Sequence, residues 1–564
     1  MKQPIHPQFM SLFFVAVLWL APLTHGGAFE PVYARHAMVA SPEPNAAKAG
    51  LQVLRAGGNA FDAAAAIGFA LAVTYPAAGN LGGGGFLTGY TADGKAITLD
   101  FREMAPGAAT ADMYLDENGD PDSHLSTATL LASGVPGTPQ GLLRFQEDYG
   151  RLPRAAVLNP AIRLAEDGFD VSYSLSRHLA YQEEFLRRFE STSKVFFPDG
   201  KPPAFGDKLV QRDLGATLRR IRDRGADGFY QGETAERIAN YMQQHGGIIT
   251  KKDLMNYRCK YREPFVFDYK NYQLITHPLP SSGGVVMAQV LKLIEPFDVA
   301  GLHHNSSGYT QLVVEAERLA FADRNSWMGD PDYVDVPVAQ MISDEYLDQR
   351  RAMIPKGKAG KSENVEPGVF EPEQTTHFCV VDQDGNVAAI TYTLNGSFGM
   401  GAVVEGAGFL LNNEMDDFTA KPGTANMFGL VQMEANKIEP GKRMLSAMTP
   451  TIVLKDGKFD MTMGTPGGPT IITTNLQIFL NCVEFDMNIR EAIDAGRFHH
   501  QWLPDQITHE PQAFSFDTRK RLIEMGYTLN ERDQIGFACG IEAMPDGVLA
   551  GYSDGRGEGL AVGY

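Results

Sequence analysis

The chain has 564 residues, of which 44% are hydrophobic and 21% are charged, so it is long enough to bury an extensive core and is neither disordered nor fibrous. Its formal net charge of −19 argues against nucleic acid and against an anionic membrane surface as partners. The four cysteines form no Cys-X-X-Cys pair, which indicates neither a zinc site nor a redox motif. We expect buried free thiols, with one disulfide as the alternative.

The N-terminus has the pattern of a secretory signal peptide. Lys2 precedes an apolar run from Phe9 to Leu23, and small residues follow up to Ala28. The run is short for a membrane span, so residues 1–28 are predicted to be removed. This predicts a periplasmic or secreted protein without a stable membrane anchor, and an uncleaved anchor is the alternative.

The next elements along the chain are predicted to be helical. A helix is predicted over Asn45–Ala56 with Asn45 as its cap, and an almost wholly apolar helix over Ala60–Val73 suits a buried core position. The glycine-rich run Gly79–Phe86 leads into a strand, and no Gly-Lys-Ser/Thr follows it, so it is not a P-loop. Residues 155–260 are predicted to be mainly helical.

A hairpin begins at Thr375, after a stretch rich in Gly, Pro and charge (residues 354–373) that is predicted to be a mobile linker. If its turn is centred on Asp384, Thr375 faces Thr393 across the two strands. A threonine hydroxyl is a competent nucleophile when the threonine's own freed α-amino group serves as its base. That would require cleavage between Gln374 and Thr375. The alternative is an ordinary surface hairpin whose threonines reflect β-propensity.

Several motifs, taken in order and with their spacing, resemble those of the γ-glutamyltranspeptidases (glutathione hydrolases), which are N-terminal-nucleophile hydrolases. They are Gly57–Ala63, Asp100–Glu103, Gly134–Gly137, Pro280–Gly284, Thr375–His377, Asn412–Phe418, Gly464–Gly468 and Arg497–Trp502. The resemblance implies an α+β fold, a four-layer αββα sandwich. It also implies a large subunit, residues 29–374, and a small catalytic subunit, residues 375–564, interleaved as a heterodimer in one body.

The resemblance assigns the chemistry of bond cleavage to four residues. Thr375 is the nucleophile and Thr393 orients it. Gly467 and Gly468 form the oxyanion hole, because adjacent backbone N–H groups stabilise the charge on an attacked amide carbonyl. From the residues alone, the two glycines are equally consistent with a simple turn after Pro466.

The resemblance also assigns the recognition of an α-amino acid head group. Arg102 and Ser446 hold the α-carboxylate. Asn395, Glu414 and Asp417 hold the α-amino group. Without the resemblance, Arg102 would more often be part of a surface ion pair, and Asp416-Asp417 would more often form a turn.

Two positions depart from the family pattern. Ala447 stands where the family commonly has a second serine, so one hydrogen bond to the carboxylate is missing or replaced. A lid loop is expected over Lys421–Leu430, and Phe428 stands where bacterial members have a tyrosine that hydrogen-bonds the residue matching Asn395. Phenylalanine can cover the site but cannot make that bond.

The resulting hypothesis is an autoprocessing γ-glutamyltransferase and glutathione hydrolase that needs no metal or organic cofactor. Its donors would be glutathione and other γ-glutamyl compounds, and its acceptors water, amino acids or dipeptides. One alternative is a cephalosporin or glutaryl acylase on the same fold. The other is an inactive periplasmic binding protein.

Overall fold

Two face-to-face β-sheets organise the protein, whose computed structural model describes residues 30–362 and 375–564. The predicted signal peptide and residues 363–373 of the predicted linker lie outside the described residues. The strands are β1 Val32–Ala34, β2 Met38–Ser41, β3 Gly84–Tyr90, β4 Ala96–Phe101, β5 Phe169–Asp170, β6 Lys208–Leu209, β7 Lys260–Arg262, β8 Phe265–Tyr269, β9 Tyr272–Thr276, β10 Thr376–Val381, β11 Val387–Thr393, β12 Thr451–Lys455, β13 Lys458–Gly464, β14 Phe498–His499, β15 Ile507–His509, β16 Leu529–Glu531, β17 Cys539–Ala543, β18 Leu549–Ser553 and β19 Leu560–Gly563.

Helices cover the outer faces of the sheets. They are α1 Pro44–Arg55, α2 Ala60–Thr74, α3 Ser123–Ala128, α4 Thr138–Tyr149, α5 Arg154–Glu166, α6 Tyr173–Tyr181, α7 Glu183–Leu186, α8 Glu190–Phe196, α9 Arg212–Arg224, α10 Asp227–Tyr230, α11 Gly232–Gln244, α12 Lys251–Asn256, α13 Gly283–Ile294, α14 Ser307–Trp327, α15 Val338–Met341, α16 Asp344–Arg351, α17 Thr470–Phe485, α18 Ile489–Asp494 and α19 Phe516–Glu524. The predicted helical region after residue 155 is confirmed. Within the described residues, no helix combines the length and apolarity that a membrane crossing requires.

Most of the described strands form two seven-stranded antiparallel sheets in the orders β1-β18-β17-β13-β12-β9-β8 and β19-β2-β10-β11-β3-β4-β7. The others form a small sheet β14-β15-β16 and the pair β5-β6. An apolar core that includes Met38, Val387 and Ile541 lies between the sheets. Two further cores fill the spaces between each sheet and its helices. The order of layers is therefore helix, sheet, sheet, helix, which confirms the predicted αββα sandwich.

The first predicted helix begins one residue earlier than expected and has a different cap. Pro44 occupies its first turn, and the carboxylate of Glu43, not the side chain of Asn45, accepts the Ala46 N–H at 2.8 Å. Proline suits the first turn because its missing N–H would have no helical partner there. The second helix, α2, matches its prediction, and Asn59 caps it.

The hairpin has the predicted register. Val381 pairs with Val387 and Thr376 with Tyr392, so Thr375 is the next residue in line and faces Thr393. Both strands are buried along their whole length in the middle of a sheet, so the surface-hairpin alternative is wrong. Because side chains alternate between faces, Thr375 shares the face of Cys379 and Val381, which points into the space between the sheets.

Strands from both sides of the Gln374–Thr375 junction contribute to both sheets. Strand β10 pairs with β2 in one sheet, and β12 pairs with β9 in the other. All four cysteines are free thiols, and Cys379 and Cys539 are buried between the sheets.

Candidate active site

Thr375 lies at the head of β10, almost fully buried, with its hydroxyl 3.4 Å from that of Thr393. The Thr393 Oγ1 accepts the backbone N–H of Asn395 at 2.8 Å. This second contact fixes the Thr393 hydroxyl where it can accept a hydrogen bond from Thr375. The hairpin register thus places the two threonines as the sequence predicts.

Gly467 and Gly468 come from the other sheet, in the loop between β13 and α17. Their φ angles are 137° and 51°, a region that side chains strongly disfavour, so the loop requires glycine at both positions. The Gly467 carbonyl accepts the N–H and the hydroxyl of Thr470 at 3.0 and 2.7 Å, which anchors the loop on the first turn of α17.

Thr375 borders two cavities. A smaller one of about 20 Å³ is lined by Thr375, Gly468 and all five residues predicted to bind the substrate, namely Arg102, Asn395, Glu414, Asp417 and Ser446. A larger one of about 320 Å³ is lined by Thr375 and Gly467 together with polar residues that include Tyr75, His178 and Arg532. The structure therefore brings the predicted residues together around Thr375.

Arg102 is paired with the two carboxylates that were predicted to bind the opposite end of the substrate. Its guanidinium forms ion pairs with Glu414 and Asp417, and the Glu103 carboxylate lies 3.6 Å away. Residues 414–417 form a 3₁₀ turn that directs both acids into the cavity. The charges of the predicted head-group site are thus paired with one another.

Burial changes the protonation of these acids. It raises the pKa of Glu103 to about 7, and it raises the pKa values of Glu414 and Asp417 above their ordinary range. Burial opposes the charge of Arg102, but the three acids outweigh it and raise its pKa. The cavity thus presents groups of both signs, which suits a ligand that carries both an ammonium group and a carboxylate.

Asn395 and Ser446 occupy the rim of this charged cluster. Asn395 has a positive φ of 75°, and its side-chain amide donates to the Asn413 carbonyl at 3.1 Å. Ser446 donates its N–H to the Pro280 carbonyl at 2.8 Å, while its hydroxyl accepts the Met448 N–H at 3.1 Å.

The lid loop, residues 421–430, is held over the cavity mainly through its backbone. The Asp416 carboxylate accepts the Met427 N–H at 2.9 Å, and Gln501 donates to the Phe428 carbonyl at 3.1 Å. Phe428 is buried and lines the cavity. The Asn395 side-chain amide also donates to the sulfur of Met427, a lid residue, at 3.6 Å.

Two residues of the site were missed by the sequence analysis. Arg324, on α14, lines the smaller cavity and is 1% exposed. Ser282 connects it to Ser446, since Arg324 Nε donates to Ser282 Oγ at 2.9 Å and Ser282 Oγ donates to the Ser446 carbonyl at 2.6 Å. The Pro280–Gly284 motif was the available signal for Ser282, but no local pattern marks Arg324.

A threonine at the head of a central strand, facing a second hydroxyl and a glycine pair in an αββα sandwich, defines the class of N-terminal-nucleophile hydrolases. The sequence profile described as "Gamma-glutamyltranspeptidase" matches residues 46–564. The chain belongs to the γ-glutamyltranspeptidase family.

Relatives and solved structures include both transpeptidases and acylases. The chain is 46% identical to a glutathione hydrolase proenzyme of Escherichia coli, over 96% of this chain and 95% of that protein. It is 36% identical to an acylase ACY 1 proenzyme of a Pseudomonas species, over 94% of each chain. Among solved structures, a cephalosporin acylase from Bacillus halodurans matches 98% of this chain and 99% of its own, with a TM-score of 0.85 and 29% identity. A chain of Helicobacter pylori γ-glutamyltranspeptidase, 41% identical, is covered over 97% of its length and 62% of this one, with a TM-score of 0.57.

Proposed function

We propose that the protein is an autoprocessing γ-glutamyltransferase and glutathione hydrolase. The observation that carries the proposal is the single cavity in which Thr375 meets Arg102, Glu414 and Asp417, the charges that an α-amino acid head group requires. The relatives that are 46% identical over nearly the whole chain are named glutathione hydrolase proenzymes, which supports the same activity.

The first reaction is cleavage of the chain itself. The Thr375 hydroxyl attacks the Gln374 carbonyl, the Gln374–Thr375 amide bond breaks, and the acyl group moves to the hydroxyl oxygen as an ester. Water hydrolyses the ester, which leaves a carboxylate on Gln374 and a free α-amino group on Thr375. The products are a large chain, 29–374, and a small chain, 375–564, which stay associated. With the predicted signal peptide, this processing would take place in a periplasmic or secreted protein.

The second reaction uses the new amine as the base. The Thr375 amine takes the proton of its own hydroxyl, which Thr393 orients, and the oxygen attacks the γ-amide of the donor. The N–H groups of Gly467 and Gly468 stabilise the oxyanion, and the leaving amine receives the proton. Water or the amine of an amino acid or dipeptide then releases the γ-glutamyl group from Thr375.

On substrate binding, the ion pairs of Arg102 with Glu414 and Asp417 would be replaced by ion pairs with the substrate. The α-amino group of the donor would bind Glu414, Asp417 and Asn395, and its α-carboxylate would bind Arg102 and Ser446. Each charge of the site keeps an opposite partner during this exchange, so a zwitterionic head group leaves no buried charge uncompensated. A ligand that carries only one of the two charges would leave a buried charge of the site without an opposite partner.

A glutaryl or cephalosporin acylase is the second candidate. Phe428 and Ala447 both remove a hydroxyl from the site, and acylases are among the relatives. The acids Glu414 and Asp417 count against this candidate, because they would face a glutaryl group that has no amine.

A Thr375→Ala variant tests the proposal. We expect wild-type protein to run as two chains on a denaturing gel, with Thr375 as the first residue of the small chain, and the variant to run as one inactive chain. Thr376→Ser is the matched control, because Thr376 lies next along the strand on the opposite face, and it should be cut normally. A small chain that begins at another residue, or wild type that stays uncut, would contradict the proposal.

The choice between donors is tested by comparing γ-glutamyl-anilide with glutaryl-anilide, which differ only in the amine. We expect wild type to have the higher kcat/KM for γ-glutamyl-anilide. A preference for the glutaryl compound would identify an acylase instead.

A further inference from the structure

The smaller cavity contains a second buried guanidinium that none of the roles above uses. Arg324 lies on α14 and reaches the cavity beside Thr375 and Ser446. Burial lowers the pKa of Arg324 to about 10, so it remains charged at neutral pH. A buried charge of this kind requires compensation by an anion.

The two arginines of the cavity differ in their partners. Arg102 is paired with carboxylates, whereas among the described residues no carboxylate forms an ion pair with Arg324. Arg324 Nε donates to Ser282 and Nη1 to the Asn325 side-chain oxygen at 2.9 Å. Within residues 30–362 and 375–564, no protein acceptor bonds to Nη2. The charge of Asp417 partly offsets the effect of burial on the pKa of Arg324, but Asp417 pairs directly with Arg102. Arg102 is thus compensated by direct contact, whereas Arg324 has only this more distant compensation.

Arg324 is held next to the residue expected to bind a carboxylate. Ser282 donates both its hydroxyl and its N–H to the Ser446 carbonyl, at 2.6 and 2.8 Å, and its hydroxyl also accepts from Arg324. The Ser446 N–H in turn binds the Pro280 carbonyl. These bonds fasten the 280–282 and 446 segments together and fix the guanidinium on the Ser446 side of the cavity.

We propose that Arg324 binds the carboxylate on the α-carbon of the acyl donor, in the position where Ala447 supplies no hydroxyl. The inference rests on the proposed function and extends it. Arg324 would bind the carboxylate directly and would affect the amine only through the charge of Asp417. The enzyme would therefore accept acyl donors that carry a carboxylate at this position. Glu414 and Asp417 would bind the amine separately.

Three anilides separate this role from a structural one. γ-Glutamyl-anilide has both charges, glutaryl-anilide has only the carboxylate, and 4-aminobutyryl-anilide has only the amine. In Arg324→Gln, kcat/KM should fall by about 30- to 1,000-fold for the first two, as for one partner removed from a buried charge pair. It should change by less than about threefold for the third. Arg324→Lys keeps the charge but not the planar set of N–H donors, so its loss of kcat/KM for the first two anilides should be intermediate.

Two controls keep the test decisive. Ser282→Ala removes the tether at Nε and the hydroxyl bond to the Ser446 carbonyl but keeps the Ser282 N–H bond to that carbonyl. It should show the same selectivity with a smaller loss, so it decides the question if Arg324→Gln does not fold. Calorimetry with L-glutamate, glutarate and 4-aminobutyrate gives a readout that needs no turnover. Binding of the two carboxylate ligands at this position should weaken in Arg324→Gln, and binding of 4-aminobutyrate should not.

The outcomes distinguish this inference from the proposed function. Equal losses for all three anilides, or no loss for the two that carry the carboxylate, would overturn the role of Arg324. A wild-type preference for glutaryl-anilide would overturn the proposed function but not this role, because both donors carry the same carboxylate.

Discussion

At the scale of single residues, Glu103 is the acid whose protonation should affect stability near neutral pH. It is fully buried beside Arg102, and burial raises its pKa from 4.5 to about 7. Between these values the folded state holds a proton that the unfolded state has lost. The contribution is therefore complete below pH 4.5 and is lost as the pH rises through 7.

Glu103→Gln keeps the shape of the protonated acid and removes the titration. We expect the free energy of unfolding of wild type, measured with urea, to fall relative to that of the variant by about 1–3 kcal/mol between pH 5 and pH 8. Parallel pH profiles for the two proteins would show that Glu103 does not titrate in this range.

Sequence could predict the residues of the site that belong to short motifs, but not the partners they have in the fold. Thr375 and the pair Gly467–Gly468 are marked by residue type and spacing. Arg102 contacts Glu414 across 312 positions of sequence, so this ion pair depends on the tertiary structure. Arg324 was missed for the same reason, since its burial depends on what α14 packs against.

At the scale of elements, the lid is expected to depend on Asp416 more than on any side chain of the loop itself. The Asp416 carboxylate accepts the lid N–H of Met427 through one oxygen and the Ser126 hydroxyl, at 2.6 Å, through the other. Asp416→Ala should loosen the lid and raise the donor KM about three- to tenfold, as for one lost hydrogen bond to a charged group. It should also increase hydrolysis relative to transfer.

Ser126→Ala is the matched control, because it removes the hydrogen bond from the Ser126 hydroxyl to Asp416 and leaves the one to the lid. Steady-state kinetics with γ-glutamyl-anilide, with and without a dipeptide acceptor, measures both quantities. If the two variants changed the donor KM equally, the effect would belong to the 3₁₀ turn and not to the lid.

Local sequence rules were sufficient to predict the hairpin register but not the start of the first helix. The Asp-Gly turn and the alternation of side chains specified the register of β10 and β11 to the residue. The start of α1 was misjudged because Asn45 was taken as the cap, while Pro44 in the first turn and the Glu43 carboxylate determine that end. A cap depends on which of several polar side chains reaches the free N–H groups, and sequence alone does not distinguish them.

At the scale of the whole molecule, the layers could be expected from the family resemblance, but the order of strands could not be read from composition or periodicity. Neighbouring strands such as β2 and β10, or β9 and β12, are far apart in sequence. Their pairing is determined by which buried faces fit together in the cores between and outside the sheets.

This strand order predicts how the cleaved protein behaves. β10 lies between β2 and β11, and β12 lies between β9 and β13, so each sheet is hydrogen-bonded across the cleavage boundary. Separating the chains would expose both sheet edges and the core between the sheets, at a cost comparable to global unfolding. We therefore expect native mass spectrometry to give one particle containing both chains, while a denaturing gel separates them. Thermal unfolding should be a single transition in which the chains separate as they unfold. A folded large chain recovered alone under native conditions would contradict the shared sheets as the force that holds the two chains together.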